Sequence, residues 1–298
     1  MSKSRQHVPA KHLHRELLPD QSLALLQMLR LLTPDGRLNA DSRRKLKQIN
    51  HFANLLRPGL EALFADGGEP LLVDAGAGNA YLGFVLYELF FGSHGAGQVV
   101  GIELRGELVE QARERAAALG YERLSFVHGA VDPVGAELPA RVDAVVALHA
   151  CDTATDDALL LALRTRAPFV AVVPCCQTEV YGLLQGSAGR HVLGPLWRHG
   201  MHRREFGAHL TNVIRAHVLE MHGYQVTVTE LVGWEHSLKN ELILARRHQR
   251  ADGQARRRLE ALLASLPPLS MKLLNEAGPA ALDAIAAAAP QPHSQTDG

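Results

Sequence analysis

"LLVDAGAGNAYLGFVLYELF", residues 71–90, decides the fold of this chain. Apolar residues run into an acid, Asp74, glycines follow at 76 and 78, and a nearly all-apolar stretch with helical spacing comes next. A buried strand that leaves through two glycines straight into a buried helix puts bare backbone into the turn. That is how a chain lets a ligand approach its main chain. The dinucleotide pattern G-x-G-x-x-G/A does not fit, because its third position is occupied by Tyr81. The tight glycine closure over a pyrophosphate is therefore missing.

Outward from this turn, strand and helix patterns alternate over residues 69–247, which predicts an α/β domain with a largely parallel sheet and crossover helices. Strands are predicted at 70–74, 98–103, 124–128, 142–148, 168–173, from 224 and from 241. The last two are too close for a crossover helix, so they should pair as a hairpin, with the final strand antiparallel to the rest. In such sheets ligands bind beyond the carboxyl ends of the strands. That rule gathers 74–83, 103, 128–132, 149–156 and 174–178 around one cleft. The helix "GAHLTNVIRAHVLEMHG" should bury Leu210, Val213, Ile214 and Val218.

The flanks read as helical: an N-terminal region, 1–68, and a C-terminal extension, 248–298, with a frayed or disordered tail. In "DSRRKLKQINHFANLLRPGLEALF" apolar residues recur every three or four positions, and Pro58 is expected to kink or split the helix. Arg44, Lys47, His51 and Asn54 form a polar stripe beside the apolar one. Formal net charge over the 298 residues is zero, yet residues 1–65 hold eleven bases against five acids. Such runs are commonly solvated faces, but this one also suits a phosphate-bearing partner. No apolar run reaches the roughly 20 residues that span a bilayer, and the first residues lack a secretory core. A cytoplasmic protein with no membrane segment is expected. Three cysteines, Cys151, Cys175 and Cys176, are too few and odd in number for a disulfide framework.

D-x-G-x-G at 74–78, with an acid, Glu103, ending the second strand in "GIELR", resembles the class I S-adenosylmethionine-dependent methyltransferases over residues 70–247. "HACDTATD" and "PCCQ" after the fourth and fifth strands, and "EHSLKNELILARR" before the last, resemble a narrower branch. It is the methyltransferase domain found beside a glutathione-transferase-like C-terminal module and, more loosely, tRNA ribose 2′-O-methyltransferases. The resemblance implies a seven-stranded Rossmann-like sheet and S-adenosylmethionine as cofactor. It implies that Gly76 and Gly78 admit the methionine part, that Asp74 orients its amino group, and that Glu103 accepts both ribose hydroxyls. Asn79, Tyr81, Leu82, Leu104, Ala130, Val131 and His149 complete the expected cofactor cleft. "VHGAVDP" lacks the acid that often holds the adenine amino group; Ala130 stands there, leaving backbone or Asp132 for that contact.

Methyl transfer to a hydroxyl or protonated amine needs alignment and a base. His149 and Asp152 are the candidates, although Asp152, Thr153 or Thr155 could equally cap the next helix. Cys176 and Gln177, just past the fifth strand, are expected to line the reacting pocket; the spacing of the cysteines is not that of a zinc site, so no metal is assigned. Residues 178–205 read as a long, glycine-containing insertion. There Tyr181 and Trp197, with Arg203, Arg204 and other cations, suit an unpaired nucleic-acid base; the equal alternative is a flexible loop with a partly buried tryptophan. With Lys47, His51, Lys239 and Asn240 they are the expected substrate contacts. RNA is the expected substrate. A protein or small-molecule methyltransferase, or a non-catalytic cofactor-binding partner, is the alternative.

Overall fold

The computed structural model describes residues 16–132, 141–148, 153–174, 178–187, 191–231, 241–248 and 251–288, with Leu138, Ala150 and Gly189. The chain divides into two compact units that are not continuous in sequence: Met1–Gln177 with Tyr224–Gln249, and Thr178–Gly223 with Arg250–Gly298.

The first unit is built on seven strands: β1 (Leu71–Ala75), β2 (Gln98–Glu103), β3 (Leu124–His128), β4 (Ala144–Leu148), β5 (Phe169–Val173), β6 (Tyr224–Glu230) and β7 (Glu241–Arg247). Their order in the sheet is 3-2-1-4-5-7-6, with β7 antiparallel to both β5 and β6. The hairpin forced by the short β6–β7 spacing is therefore present. β1 and β5 are buried at every residue, as strands covered on both faces must be.

Three helices of this unit matter for the site. α1 (Leu23–Met28) is followed by α2 (Ala40–Leu63), which Asn39 caps by accepting from the Ser42 N–H. α3 (Tyr81–Leu86) continues through a π-helical turn to Gly92. Leu46, Ile49, Phe52, Ala53, Leu56 and Leu60 of α2 join Phe84, Leu86 and Phe90 in one core against the sheet. Of the two outcomes expected at Pro58, a kink or a split, the split does not occur: α2 runs through it as one helix. Pro58 lies on the exposed face, where the carbonyl it leaves unbonded is on the solvent side. The next residue, Gly59, faces inward, and a β-carbon there would lie 2.4 Å from the Phe169 ring. So α2 touches the start of β5 near its own end. α4 (Gly106–Ala118) packs on β2 and β3, and α5 (Thr153–Thr165) on β4 and β5.

The second unit is helical: α6 (Thr178–Ser187), α7 (Gly194–Trp197), α8 (Gly200–Met221), α9 (Gly253–Ala264), α10 (Lys272–Ala277) and α11 (Pro279–Ala288). The insertion read as a flexible loop is thus largely helix, and α8 begins at Gly200 rather than near 207. Leu210, Ile214 and Val218 are buried as expected, but Val213 is exposed, and Thr211, Asn212 and Arg215 are buried in its stead. No helix among the described residues is long and apolar enough to cross a membrane.

Candidate cofactor site

The turn after β1 is shaped by three left-handed residues at alternate positions: Gly76 (φ 72°), Gly78 (φ 59°) and Ala80 (φ 61°). A β-branched or bulky side chain at these positions would be strained, and even the Ala80 methyl carries a cost on the order of 1–2 kcal/mol. The amides of Gly76 and Ala77 both donate to the Ile102 carbonyl, each at 2.9 Å, fastening the turn to the end of β2. The Gly78 amide donates at 2.7 Å to Glu103 Oε2.

Ala80 stands at the N-cap of α3 but has no side chain able to cap it. Asp74 does that from the neighbouring strand, accepting the Gly83 amide at 3.1 Å. The approach is possible because residue 83 is glycine: a β-carbon there would lie 3.2 Å from Asp74 Oδ2. Asp74 is almost wholly buried. Burial, with a smaller push from the Glu103 charge and against the pull of the Gly83 amide, raises its carboxyl to about 7. A buried carboxylate held so close to neutrality is ready to receive a cation.

Glu103 is different. Burial works against its charge, but hydrogen bonds from the Arg105 side chain and backbone and from Gly78 outweigh it and hold the carboxyl below its ordinary value. Arg105 donates to Oε1 twice, from its backbone N–H at 3.0 Å and from Nε at 2.8 Å. Beside this acid Leu104 is 67 % exposed, an open apolar surface at the strand end, while Val131 is buried. The Gly129 amide donates to the Glu103 carbonyl at 3.0 Å, which brings the start of 129–132 alongside. Asp132 pairs with Arg164.

These residues fit S-adenosylmethionine on their own chemistry. A buried carboxylate with no cation beside it among the described residues suits an ammonium, an ionised acid suits a ribose diol, and an exposed leucine suits an adenine face. Asp74, Gly76, Gly78, Asn79, Tyr81, Leu82, Glu103, Leu104, Ala130 and Val131 thus fall on the strand ends and the turns that follow them in one unit. Gly83 and Arg105 belong with them and were not singled out from sequence. Their signals were faint: a glycine inside an apolar helix, and a base two residues after the strand-end acid.

The expected catalytic residues His149, Asp152, Cys176 and Gln177, and the substrate residues Lys239 and Asn240, lie outside the described residues. On α2, Arg44, Lys47, His51 and Asn54 are exposed. Arg44 pairs with Asp41, and Lys47 lies 4.0 Å from Glu16. Lys45, between them in the helix, has its ammonium 5.9 Å from the centre of the Tyr81 ring. Since Gly59 abuts the first residue of β5, α2 runs against the strands, and its first turns come up beside the glycine turn.

In the helical unit one expectation is overturned. Trp197, read as a stacking platform, is 0 % exposed, packed between His191 and Phe206. Arg203 is buried too: it donates to the Trp197 carbonyl at 3.2 Å and to the Tyr181 hydroxyl at 2.8 Å, with its guanidinium over the Tyr181 ring. Arg203 and Trp197 are internal scaffold, whereas Arg204 is exposed.

Residues 44–182 match the model of a protein family described as "Methyltransferase domain". The glutathione S-transferase C-terminal domain-containing protein of Xenopus laevis is 28% identical over 158 residues, covering 51% of this chain and 22% of that protein. Its Homo sapiens counterpart is 28% identical over 159 residues, covering 52% and 22%. The chain therefore matches about a fifth of the length of these relatives. An rRNA methylase structure from Streptococcus thermophilus is 14% identical with a TM-score of 0.43, covering 67% of this chain and 95% of that one. An SAH-bound methyltransferase from Podospora anserina is 13% identical with a TM-score of 0.44, covering 76% and 88%. Both likenesses are too distant to speak to a substrate.

Proposed function

We propose, on the premise that residues 44–182 form a class I S-adenosylmethionine-dependent methyltransferase domain, that this protein methylates RNA in the cytoplasm, with tRNA or rRNA as substrate. The cofactor supplies an electrophilic methyl group on a sulfonium. In this reading Asp74 holds the cofactor's ammonium, Glu103 its ribose hydroxyls, and Leu104 and Val131 flank its adenine. His149 or Asp152 takes the proton from the nucleophile, and Cys176 and Gln177 shape the pocket around it.

The observation that supports RNA is the exposed basic beginning of α2 beside the glycine turn. Arg44, Lys45, Lys47 and His51 are all exposed there, and Lys45 has no carboxylate partner among the described residues. Cations on such a rim hold phosphates and position a polyanion without reading its sequence. Arg204, Lys239 and Asn240 are further substrate contacts in this reading.

The test is transfer of a labelled methyl group to tRNA and rRNA fragments, with protein extract and small-molecule fractions offered in parallel. Label in RNA, absent with Gly78→Asp, is expected. Label confined to protein or small molecules overturns the RNA assignment while leaving the transferase intact. Filter binding of RNA at two salt concentrations gives a second readout. Lys47→Ala should reduce the log–log salt slope by roughly one without changing cofactor affinity.

A further inference from the structure

Glu103 is more fully engaged than a diol acceptor can be. A carboxylate offers about four lone-pair positions, two on each oxygen. Oε1 already holds two donors, the Arg105 backbone N–H and Nε–H, and Oε2 holds the Gly78 amide. Among the described residues one position is left, whereas two adjacent hydroxyls need two. Two of the three donors are main-chain amides fixed by the turns after β1 and β2, and they cannot withdraw without unmaking those turns. The third is the side chain of Arg105, which is 58% exposed and can leave into solvent. Its Nη2 would lie 3.8 Å from a β-carbon at Gly78, so the guanidinium also lies across the mouth of the glycine turn.

We propose that Arg105 is a displaceable latch on the ribose-binding carboxylate: its side chain fills an acceptor position that the ribose diol requires, and cofactor entry ejects it. The proposal rests on the cofactor reading given above. An exposed ion pair of this kind is weakly held, so the latch yields readily to a ligand that supplies two hydroxyls. Between turnovers Arg105 closes back on Glu103 and assists release of the spent cofactor. Arg105 is thus a positioning residue that acts through Glu103.

The experiment is calorimetry and stopped-flow binding of S-adenosylhomocysteine and of its 2′-deoxy analogue to the full chain, wild type and Arg105→Ala. Removing the latch should tighten binding of the diol ligand by about two- to tenfold, the worth of one hydrogen-bond position regained. Slower dissociation should account for part of the gain. The 2′-deoxy analogue, which needs only the position already open, should gain little. Arg105→Lys, with a point charge in place of the planar fork, should fall between the two. Equal or weaker binding by Arg105→Ala, or an equal gain for both ligands, overturns the latch while the cofactor reading stands. No binding of either ligand to either protein overturns the cofactor reading and the latch with it.

Discussion

Each unit of this molecule buries charge, and the two do so to opposite ends. In the sheet unit the buried charges among the described residues are acids, and two of them, Asp74 and Glu103, sit at strand ends and accept backbone amides. Asp74 has no cation beside it among the described residues and is pushed towards neutrality. In the helical unit a buried charge is the base Arg203, whose donors go to the Trp197 carbonyl and the Tyr181 hydroxyl of the same unit. The difference teaches that burial of charge does not by itself mark a site. What marks one is spare binding capacity that lies beside an open turn. Asp74 has it next to the glycine turn, while Arg203 is closed in with Trp197 and Tyr181, and even its unpartnered Nε–H is buried.

That contrast can be broken most forcefully at Trp197. Trp197→Ala should cost about 3–5 kcal/mol of stability, the usual loss for a large aromatic in a closed core. Denaturant unfolding would register it, and cofactor affinity in the remaining folded protein should be unchanged. Full stability with loss of RNA binding would make Trp197 a platform after all. The next largest effect lies at Asp74. Because the folded carboxyl titrates near 7, a cationic ligand must displace its proton below that pH. Cofactor affinity should therefore rise by up to about tenfold per pH unit as pH climbs towards 7, then level off. In Asp74→Asn that rise should vanish. The free protein should show the opposite trend. The folded state keeps a proton that the unfolded chain releases, so stability falls between about pH 4 and pH 7.

Two glycines sharpen the comparison within the sheet unit. Gly59→Ala should cost about 1–3 kcal/mol, since the Phe169 ring must yield to a methyl group, and thermal unfolding should show it with cofactor affinity unaltered. Gly83→Ala should do the reverse. Alanine favours the helix by up to about 1 kcal/mol, yet its methyl group presses on the Asp74 carboxylate. Stability should hold or rise slightly while affinity for the cofactor falls severalfold in calorimetry.

The sheet unit was legible because its signals are local. A run of buried β-branched residues, a pair of glycines and a strand-end acid carry their meaning within a few residues, and the seven strands stand where their patterns place them. Pro58 is harder to read, because whether it splits a helix depends on which face of α2 it occupies. Gly83 and Arg105 escaped because each acts on a carboxylate nine or two residues away, in a geometry only the fold supplies. The helical unit was least legible. Whether Trp197 faces solvent, and whether Arg203 meets a phosphate or a tyrosine, is decided by packing between helices remote in the pattern. Val213 carries the spacing of a core residue and is exposed all the same.

The central claim, that the turn after β1 and the acid ending β2 form one cofactor seat, is tested most directly by calorimetric titration of S-adenosylmethionine into wild type and Glu103→Ala. The account predicts one-to-one binding by the wild type. In the variant the affinity should be weaker by about 1.5–3 kcal/mol, the worth of hydrogen bonds to a charged group, while unfolding stays cooperative at a somewhat lower temperature because the Gly78 and Arg105 amides lose their acceptor. Equal affinity in the two proteins would contradict it.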